Sequence, residues 1–379
     1  MPKDKINSAT AVLSIVLVVV LSLLFFIFPK KDFSDKENRK LSQAPKITAE
    51  SFFDGDYMDG LTEYAVDHFP LRDYWISLRT QMRILMGASE INGIYLGRDG
   101  FLIQRYTPLK NTDKIVTTFN KLGDNISLLD RDTDFKVMLV PTSATVYGDM
   151  LPKGAEPSRQ LDDIELIYNE VPFDTVDVYP ELVEEKNAGI QVFYKTDHHW
   201  TPEGAYAGYR AYCEANNMTP VSFDDMKPEV GTTDFHGTYS SKVNRFNEKG
   251  DTITLYTNPS AALRVSYEDT GVVTDSLFDR DYLDKKDKYS VFLSNLHSMV
   301  VVDNANATTD RVLALVKDSY ANSMLPYLSH NYSRMYIFDT RYYKDGVTNF
   351  IKEHDDITDV LVLYNMSTID TDTGIRGIY

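Results

Sequence analysis

The sequence predicts an α/β fold built on a parallel central sheet, preceded by a transmembrane anchor and carrying a partly β insertion at about 220–300. Three observations carry that reading. Short, continuous apolar runs recur along the chain: Phe135–Val140, Gln191–Tyr194, Val312–Val316, Met335–Phe338 and Val360–Tyr364. Stretches of helical character lie among them, at 161–170, 203–216 and 346–354. Uniformly apolar strands alternating with helices describe a parallel sheet covered on both faces. Each run also hands over to polar residues, and the carboxyl ends of the strands are where such sheets place their sites.

The anchor comes first. Residues 9–29 read ATAVLSIVLVVVLSLLFFIFP without a charge, and at 1.5 Å per residue they span about 30 Å, the hydrocarbon thickness of a bilayer. Lys3 and Lys5 before it favour an inside N-terminus, and Lys30 and Lys31 after it weaken that bias. No small-x-small cleavage site follows Phe28, so a retained anchor is expected over a cleaved signal. Residues 1–31 are thus the anchor, 32–50 a charged, solvated linker, and 51–379 the α/β domain, which lies outside the cytoplasm. Within it, 51–87 reads as two helices broken at Asp67-His68-Phe69-Pro70. Gly97-Arg98-Asp99-Gly100, between Ile94-Tyr95-Leu96 and Phe101-Leu102-Ile103, signals a hairpin. Residues 220–300 are rich in Thr, Ser and Asp and break the strand–helix alternation.

Composition excludes several classes. Among 379 residues, 56 Asp+Glu against 39 Lys+Arg leave a net charge of −17, the wrong sign for neutralising phosphates. The single cysteine, Cys213, rules out a disulfide framework and any multi-cysteine metal site.

The densest chemical signal is Asp197-His198-His199-Trp200, where two of the seven histidines and one of the two tryptophans meet an aspartate. Histidine titrates nearest neutral pH, and a neighbouring carboxylate can fix its tautomer and stabilise the imidazolium. Thr201-Pro202-Glu203 reads as an N-cap with proline at the first helical position, so the pair sits on a stiff loop entering a helix. Ser319, after VLALV and before a helix start, is the candidate nucleophile, with a plain N-cap serine as the alternative. Asp275-Ser276 repeats the dipeptide after a poorer strand, and Pro326 cuts the helix after Ser319 short. On the substrate side, Asn365 ends the last strand and is either an oxyanion donor or a turn cap. Arg341 holds an anionic group or pairs with Asp339 or Asp345. Tyr147 touches substrate or packs, and Asn295 and His297 are weaker candidates.

TDHHWTPEGAY (196–206) and KDSYANSMLPYL (317–328) resemble the DHHW family, extracytoplasmic proteins mostly of Gram-positive bacteria, which are similar in turn to periplasmic alginate O-acetyltransferase proteins. SDKENRKLSQAP (34–45), DHFPLRD (67–73), GIYLGRDGFLI (93–103), VMLVPTSATVY (137–147), FHGTYSSK (235–242) and FDTRYY (338–343) extend the resemblance over nearly all the chain after the anchor. It implies an SGNH-hydrolase-like three-layer sandwich and a Ser-His-Asp triad. The Asp-x-His-Trp motif falls on Asp197, His199 and Trp200, and the nucleophile on Ser319. Trp200 joins Asn365, Arg341, Tyr147 and Asn295 as an oxyanion or substrate-side residue. Two departures stand out: Lys317 replaces a glycine, and His198 is extra and is an alternative base. The oxyanion glycine has no clear match, which leaves a loop amide near Asp339-Thr340. The implied function is O-acetyl transfer to, or hydrolysis from, hydroxyls of a cell-surface polysaccharide, with no cofactor or metal and with a membrane-bound O-acyltransferase as acetyl donor. The rival classes are a non-catalytic polysaccharide-binding or scaffold subunit and a metal phosphoesterase, the latter disfavoured by the anchor. Palmitoyl transfer is excluded because Trp200 stands where that motif needs cysteine.

Overall fold

A computed structural model describes residues 3–378, which divide into two units: the chain up to Ala88 with Ser241–Glu248, and Ser89–Ser240 with Lys249 onward. The first begins with α1 (Lys3–Ile27), whose uncharged stretch Ser8–Ile27 is long and apolar enough to cross a membrane. The stretch expected to be a solvated linker is mostly exposed, yet it is not without structure. Strands β1 (Phe33–Ser34) and β2 (Arg39–Lys40) pair antiparallel around Asn38, whose φ of 53° suits asparagine, and Ser34 and Leu41 are buried. Three helices follow, α2 (Ala49–Phe53), α3 (Asp56–Asp67) and α4 (Arg72–Leu85). The predicted break at 67–70 separates α3 from α4.

The second unit opens with a three-stranded antiparallel sheet, β3 (Glu90–Ile91), β4 (Ile94–Leu96) and β5 (Leu102–Gln104). Asp99 and Gly100 turn the expected β4–β5 hairpin at positive φ. Then come α5 (Thr112–Ser127), β6 (Asp134–Val140), α6 (Ser143–Val146), α7 (Gln160–Asn169), β7 (Thr175–Val176), α8 (Tyr179–Asn187) and α9 (Pro202–Ala215). The 220–300 stretch gives β8 (Lys227–Phe235), α10 (Thr238–Val243), β9 (Asp251–Thr257), β10 (Leu263–Tyr267) and β11 (Val272–Thr274). The chain closes with β12 (Met299–Asn304), β13 (Val312–Lys317), α11 (Leu325–Leu328), β14 (Arg334–Phe338), α12 (Val347–Glu353) and β15 (Asp359–Asn365).

The central sheet is mixed rather than parallel. Its order is β11-β10-β12-β14-β13-β15-β6-β7. β14, β13, β15, β6 and β7 run parallel, and β12, β10 and β11 extend it antiparallel. Part of the supposed insertion therefore belongs to the sheet, while β8 and β9 form their own hairpin. Gln191–Tyr194 is not a strand: it makes only a single bridge, Phe193 to Trp200. The apolar runs are buried on both faces, as their composition requires. Met138, Leu313, Leu315, Ile337 and Leu363 meet one buried cluster with α8, α9 and α11. Val137, Ala314, Val316, Phe338 and Val362 meet another with α5, α7 and α12. A third cluster, Tyr194, Phe235, Ile253, Leu255, Tyr289, Val291 and Phe292, joins the β8–β9 hairpin to the loop that precedes Asp197.

Candidate active site

The loop carrying Asp197-His198-His199-Trp200 is fixed at both ends. Before it, the buried Asp251 accepts from Lys195 N at 2.9 Å, Thr196 N at 2.8 Å and Thr196 Oγ1 at 2.7 Å. After it, Thr201 caps α9 by accepting from Gly204 N at 3.2 Å, with Pro202 in the first turn. Glycine is needed inside α9. A Cβ on Gly208 would stand 2.9 Å from the Trp200 ring, and one on Gly204 would stand 2.2 Å from the Val192 carbonyl oxygen.

Ser319 stands one residue beyond Asp318, which caps a 3₁₀ turn over Ser319–Ser323 by accepting from Tyr320 N at 2.9 Å. The two segments meet in a continuous hydrogen-bonded row. Ser319 Oγ lies 2.8 Å from His199 Nε2, and His199 Nδ1 lies 2.6 Å from Asp197 Oδ1. That oxygen also accepts from His199 N at 3.0 Å, while Oδ2 accepts from Thr238 N at 2.8 Å. The His199 ring stacks on Tyr289, centroids 3.5 Å apart and planes 9° apart, and Tyr289 Oη donates to Ser319 O at 3.2 Å or to Ser323 Oγ at 3.1 Å. The imidazole is thus held in plane as well as end to end.

The electrostatics suit a neutral ring beside an ionised carboxylate. Burial pushes His199 down to about 4, His198 adds to the effect, and Asp197 opposes it. For Asp197, burial alone would raise the carboxyl, but His198 and His199 outweigh it and hold the group well below its ordinary range. Asp197, His198 and His199 also offer ligand atoms within 4.8 Å of one another, the spacing a metal ion needs. A cation there would have to displace the bonds from Asp197 to His199 and Thr238 and the one from His198 Nδ1 to Thr238 Oγ1, at 2.9 Å.

The remaining sequence candidates fall behind the row or beside it. His198 is part-buried, and its Nδ1 is 3.4 Å from Asp197; among the described residues it is His199, not His198, that hydrogen-bonds Ser319. Trp200 is fully buried and donates Nε1–H to Tyr320 O at 2.8 Å, so it packs rather than faces substrate. Tyr147 is likewise core: it stacks on Phe101 and accepts from Val192 N. Asn365 is fully buried: its amide donates to Asp318 Oδ2 at 2.6 Å and Thr368 Oγ1 at 2.9 Å, and its Oδ1 accepts from Ser367 N at 2.8 Å, so it braces Asp318 and caps a turn, the second of its two readings. Arg341 pairs with Asp339 through two hydrogen bonds, 2.8 and 2.6 Å, the salt-bridge alternative, while its charge is still felt at His199 and Lys317. Asn295 sits at φ 79° in a local turn, accepting from Ser290 Oγ, and His297 pairs with Asp269. Lys317 is buried with Nζ 3.7 Å from Asp339 and, among the described residues, no hydrogen-bond partner. Sequence reasoning missed Tyr289, Asp251, Thr238 and Gly237. A Cβ on Gly237 would stand 2.3 Å from Asp197 Cβ and Oδ2, so only glycine lets FHGTY close over the carboxylate.

A family model for DHHW protein matches residues 105–338, a stretch that includes the whole row. The chain belongs to the DHHW family. A DHHW family protein from Eubacterium siraeum has a similar structure, with a TM-score of 0.64 and 26% identity over 76% of this chain and 96% of that one. Bacillus cereus PatB1 with a sulfonyl adduct superposes with a TM-score of 0.62 at 17% identity, over 76% and 98%, which supports the fold. Probable alginate O-acetylase AlgJ of Pseudomonas putida is 28% identical over 157 residues, 39% of this DHHW protein and 40% of AlgJ. The matched stretch thus spans about two fifths of that relative's length.

Proposed function

We propose that this DHHW protein is an extracytoplasmic O-acetyltransferase acting on hydroxyls of a cell-surface polysaccharide through Ser319, His199 and Asp197. The observation that carries the reading is the unbroken row from Ser319 Oγ to Asp197 Oδ1, at 2.8 and 2.6 Å. Similarity to a probable alginate O-acetylase supports the acetyl chemistry and the polysaccharide acceptor. The buried clusters on both sheet faces support a three-layer SGNH-like sandwich for the domain. The apolar helix Ser8–Ile27 supports a single membrane anchor with the domain outside the cytoplasm.

In this mechanism His199 Nε2 takes the Ser319 proton as Oγ attacks the acetyl carbonyl of the donor. Asp197 holds the other ring nitrogen and stabilises the imidazolium. The proton then passes to the leaving group, leaving an acetyl ester on Ser319. An acceptor hydroxyl gives its proton to His199, attacks that ester and departs acetylated, which regenerates the serine. Water in place of the sugar hydroxyl yields acetate. Because acetyl-CoA stays in the cytoplasm, the donor is a membrane-bound O-acyltransferase that exports acetyl groups.

The test is the purified full chain with 4-nitrophenyl acetate, with adducts mapped by mass spectrometry after brief reaction or sulfonyl fluoride treatment. Turnover is expected to fall by about 10⁴ or more in both Ser319→Ala and His199→Ala, and no further in the double variant. The adduct is expected on Ser319. Equal inertness of wild type and variants, or label scattered over lysines, favours the non-catalytic scaffold.

A further inference from the structure

We infer that the first unit seats itself on the membrane surface through an apolar face formed by α2–α4 and the Phe69–Leu71 turn, with the interfacial layer of the bilayer as its occupant. The helices of this unit bury little: Tyr57, Tyr64, Ala65, Ile76, Leu78 and Ile84 are only part-buried, and many large apolar side chains stay outside. α2 buries no residue, α3 buries only Asp67, and α4 buries only Ser77 and Thr80. The large apolar side chains lie outside: Phe53 is 84% exposed, Leu71 54% and Trp75 40%, with Phe69, Leu85 and Met86 also exposed. Exposed apolar side chains brought together, as Phe69, Leu71 and Tyr74 are along one groove, mark an interaction surface.

Its height relative to the membrane follows from α1. The Phe25 ring, in the last turn of α1, meets Tyr64 of α3 edge-on with centroids 6.0 Å apart. Lys30 lies over the same ring at 3.6 Å, as a cation at the hydrocarbon edge does. Phe28 and Pro29, just past α1, line one groove of about 360 Å³ with Phe69, Leu71 and Tyr74. When Ser8–Ile27 spans the bilayer, α3 and the turn are therefore at headgroup level, where exposed Trp and Tyr are favoured. Residues 49–88 carry seven Asp/Glu against three Lys/Arg, so the attraction is apolar and not a charge match to anionic lipid.

The turn is built to present its side chains. Asp67 accepts from Arg39 at 2.9 and 2.5 Å and from Ser42 N at 2.8 Å, and Arg72 bonds Glu37. His68 Nε2 meets Ser42 O at 3.0 Å. This clamp joins SDKENRKLSQAP to DHFPLRD, two motifs to which the catalytic reading gives no work. Leu71 is held at φ 59°, a costly conformation for leucine, yet its side chain is exposed and gains nothing from burial within the chain.

The experiment uses the full chain in phosphatidylcholine vesicles whose acyl chains are brominated. Trp75 and Trp200 are the two tryptophans, and Trp200 is fully buried, so lipid quenching reports Trp75. Emission is expected to fall by a third or more, more with shallow than with deep bromines, and equally at low and high salt. Trp75→Phe should abolish the quenching, and the double variant Phe69→Ser, Leu71→Ser, checked for folding by circular dichroism, should at least halve it. Unchanged emission in brominated vesicles overturns the inference. So does protection from acrylamide without bromine quenching, which puts a protein on this face, and so does an intact mass showing that α1 has been removed.

Discussion

Gly237→Ala tests whether the loop over Asp197 is part of the machinery. The added Cβ would stand 2.3 Å from both Cβ and Oδ2 of Asp197, where ordinary contact begins at 3.4 Å. Relief therefore needs a displacement of about 1 Å. Asp197 cannot absorb it in place, because one oxygen is held by Thr238 N at 2.8 Å and the other by His199 at 2.6 Å. The shift passes to the imidazole, and a misplacement of that size costs on the order of 10² in rate, about 2.7 kcal/mol of transition-state stabilisation. Overpacking should also lower stability by about 1–3 kcal/mol. The assay is steady-state turnover of 4-nitrophenyl acetate with thermal unfolding followed in parallel. The expected result is a lower kcat with KM nearly unchanged, in a protein that still unfolds cooperatively. A folded Gly237→Ala chain that turns over within twofold of wild type refutes the claim that this glycine positions the carboxylate.

His199, His198 and the Lys317–Asp339 pair give the remaining outcomes. Because His199 is pushed down to about 4, kcat/KM should rise through about pH 4 and then stay level to neutrality as far as this group is concerned. The unfolded chain, with histidine near 6.5, binds more protons between about 4 and 6.5, so this histidine makes stability increase with pH across that window; denaturant titrations at pH 4.5 and 6.5 read it. Since His198 is the second cause of that depression, His198→Asn should move the acid limb of the rate profile upward while keeping the Ser319 adduct, whereas loss of the adduct would make His198 the base. Lys317→Met removes a cation with no hydrogen bond among the described residues and leaves Asp339 with both bonds from Arg341, so Tm should hold or rise. Asp339→Ala strands Lys317 and Arg341 together and should cost about 3–5 kcal/mol by chemical denaturation.

The parts legible in sequence were those decided by local composition. VLALV and FKVMLV read as central strands because burial on both faces leaves no room for alternation. The clustering of Asp197, His198 and His199 next to a helix cap marked the loop, and the strand before Asp318 marked Ser319. The sequence also carries α5, since Ile115, Phe119, Leu122 and Ile126 repeat at helical spacing and are all buried. The antiparallel half of the sheet was not legible in the same way. β12 alternates partly and fully buried residues, and such a pattern fits a surface hairpin as well as a sheet extension. The substrate-side readings that the structure turns away share one cause, and for Tyr147 and Asn365 it is the alternative, packing and turn cap, that the structure carries. Trp200, Tyr147 and Asn365 are polar or aromatic residues near strand ends, and sequence alone cannot tell a side chain facing a cleft from one bracing the wall behind it.

The residues that escaped sequence reading show why the 220–300 stretch matters to the chemistry. Thr238 reaches Asp197 across 41 residues of chain, Asp251 reaches Thr196 across 55, and Tyr289 reaches Ser319 across 30. Thr238 lies in FHGTYSSK, a stretch that the family resemblance marks without assigning it a role, while Asp251 and Tyr289 lie in no such stretch. Yet the three supply the second carboxylate bond, the anchor of the loop and the surface on which the imidazole stacks. The sheet alone would place Ser319 at a strand end with its cap, and α9 alone would place His199 at a helix entrance. Neither fixes the ring plane. The stacking on Tyr289 and the closure by Gly237 do, so the row depends on the β8–β9 hairpin and the turns after it as much as on the sheet. The part of the segment outside β10 and β11 is therefore better regarded as the wall of the candidate site than as an inserted attachment, and changes at Gly237, Thr238 or Tyr289 should alter turnover before they alter folding of the sheet.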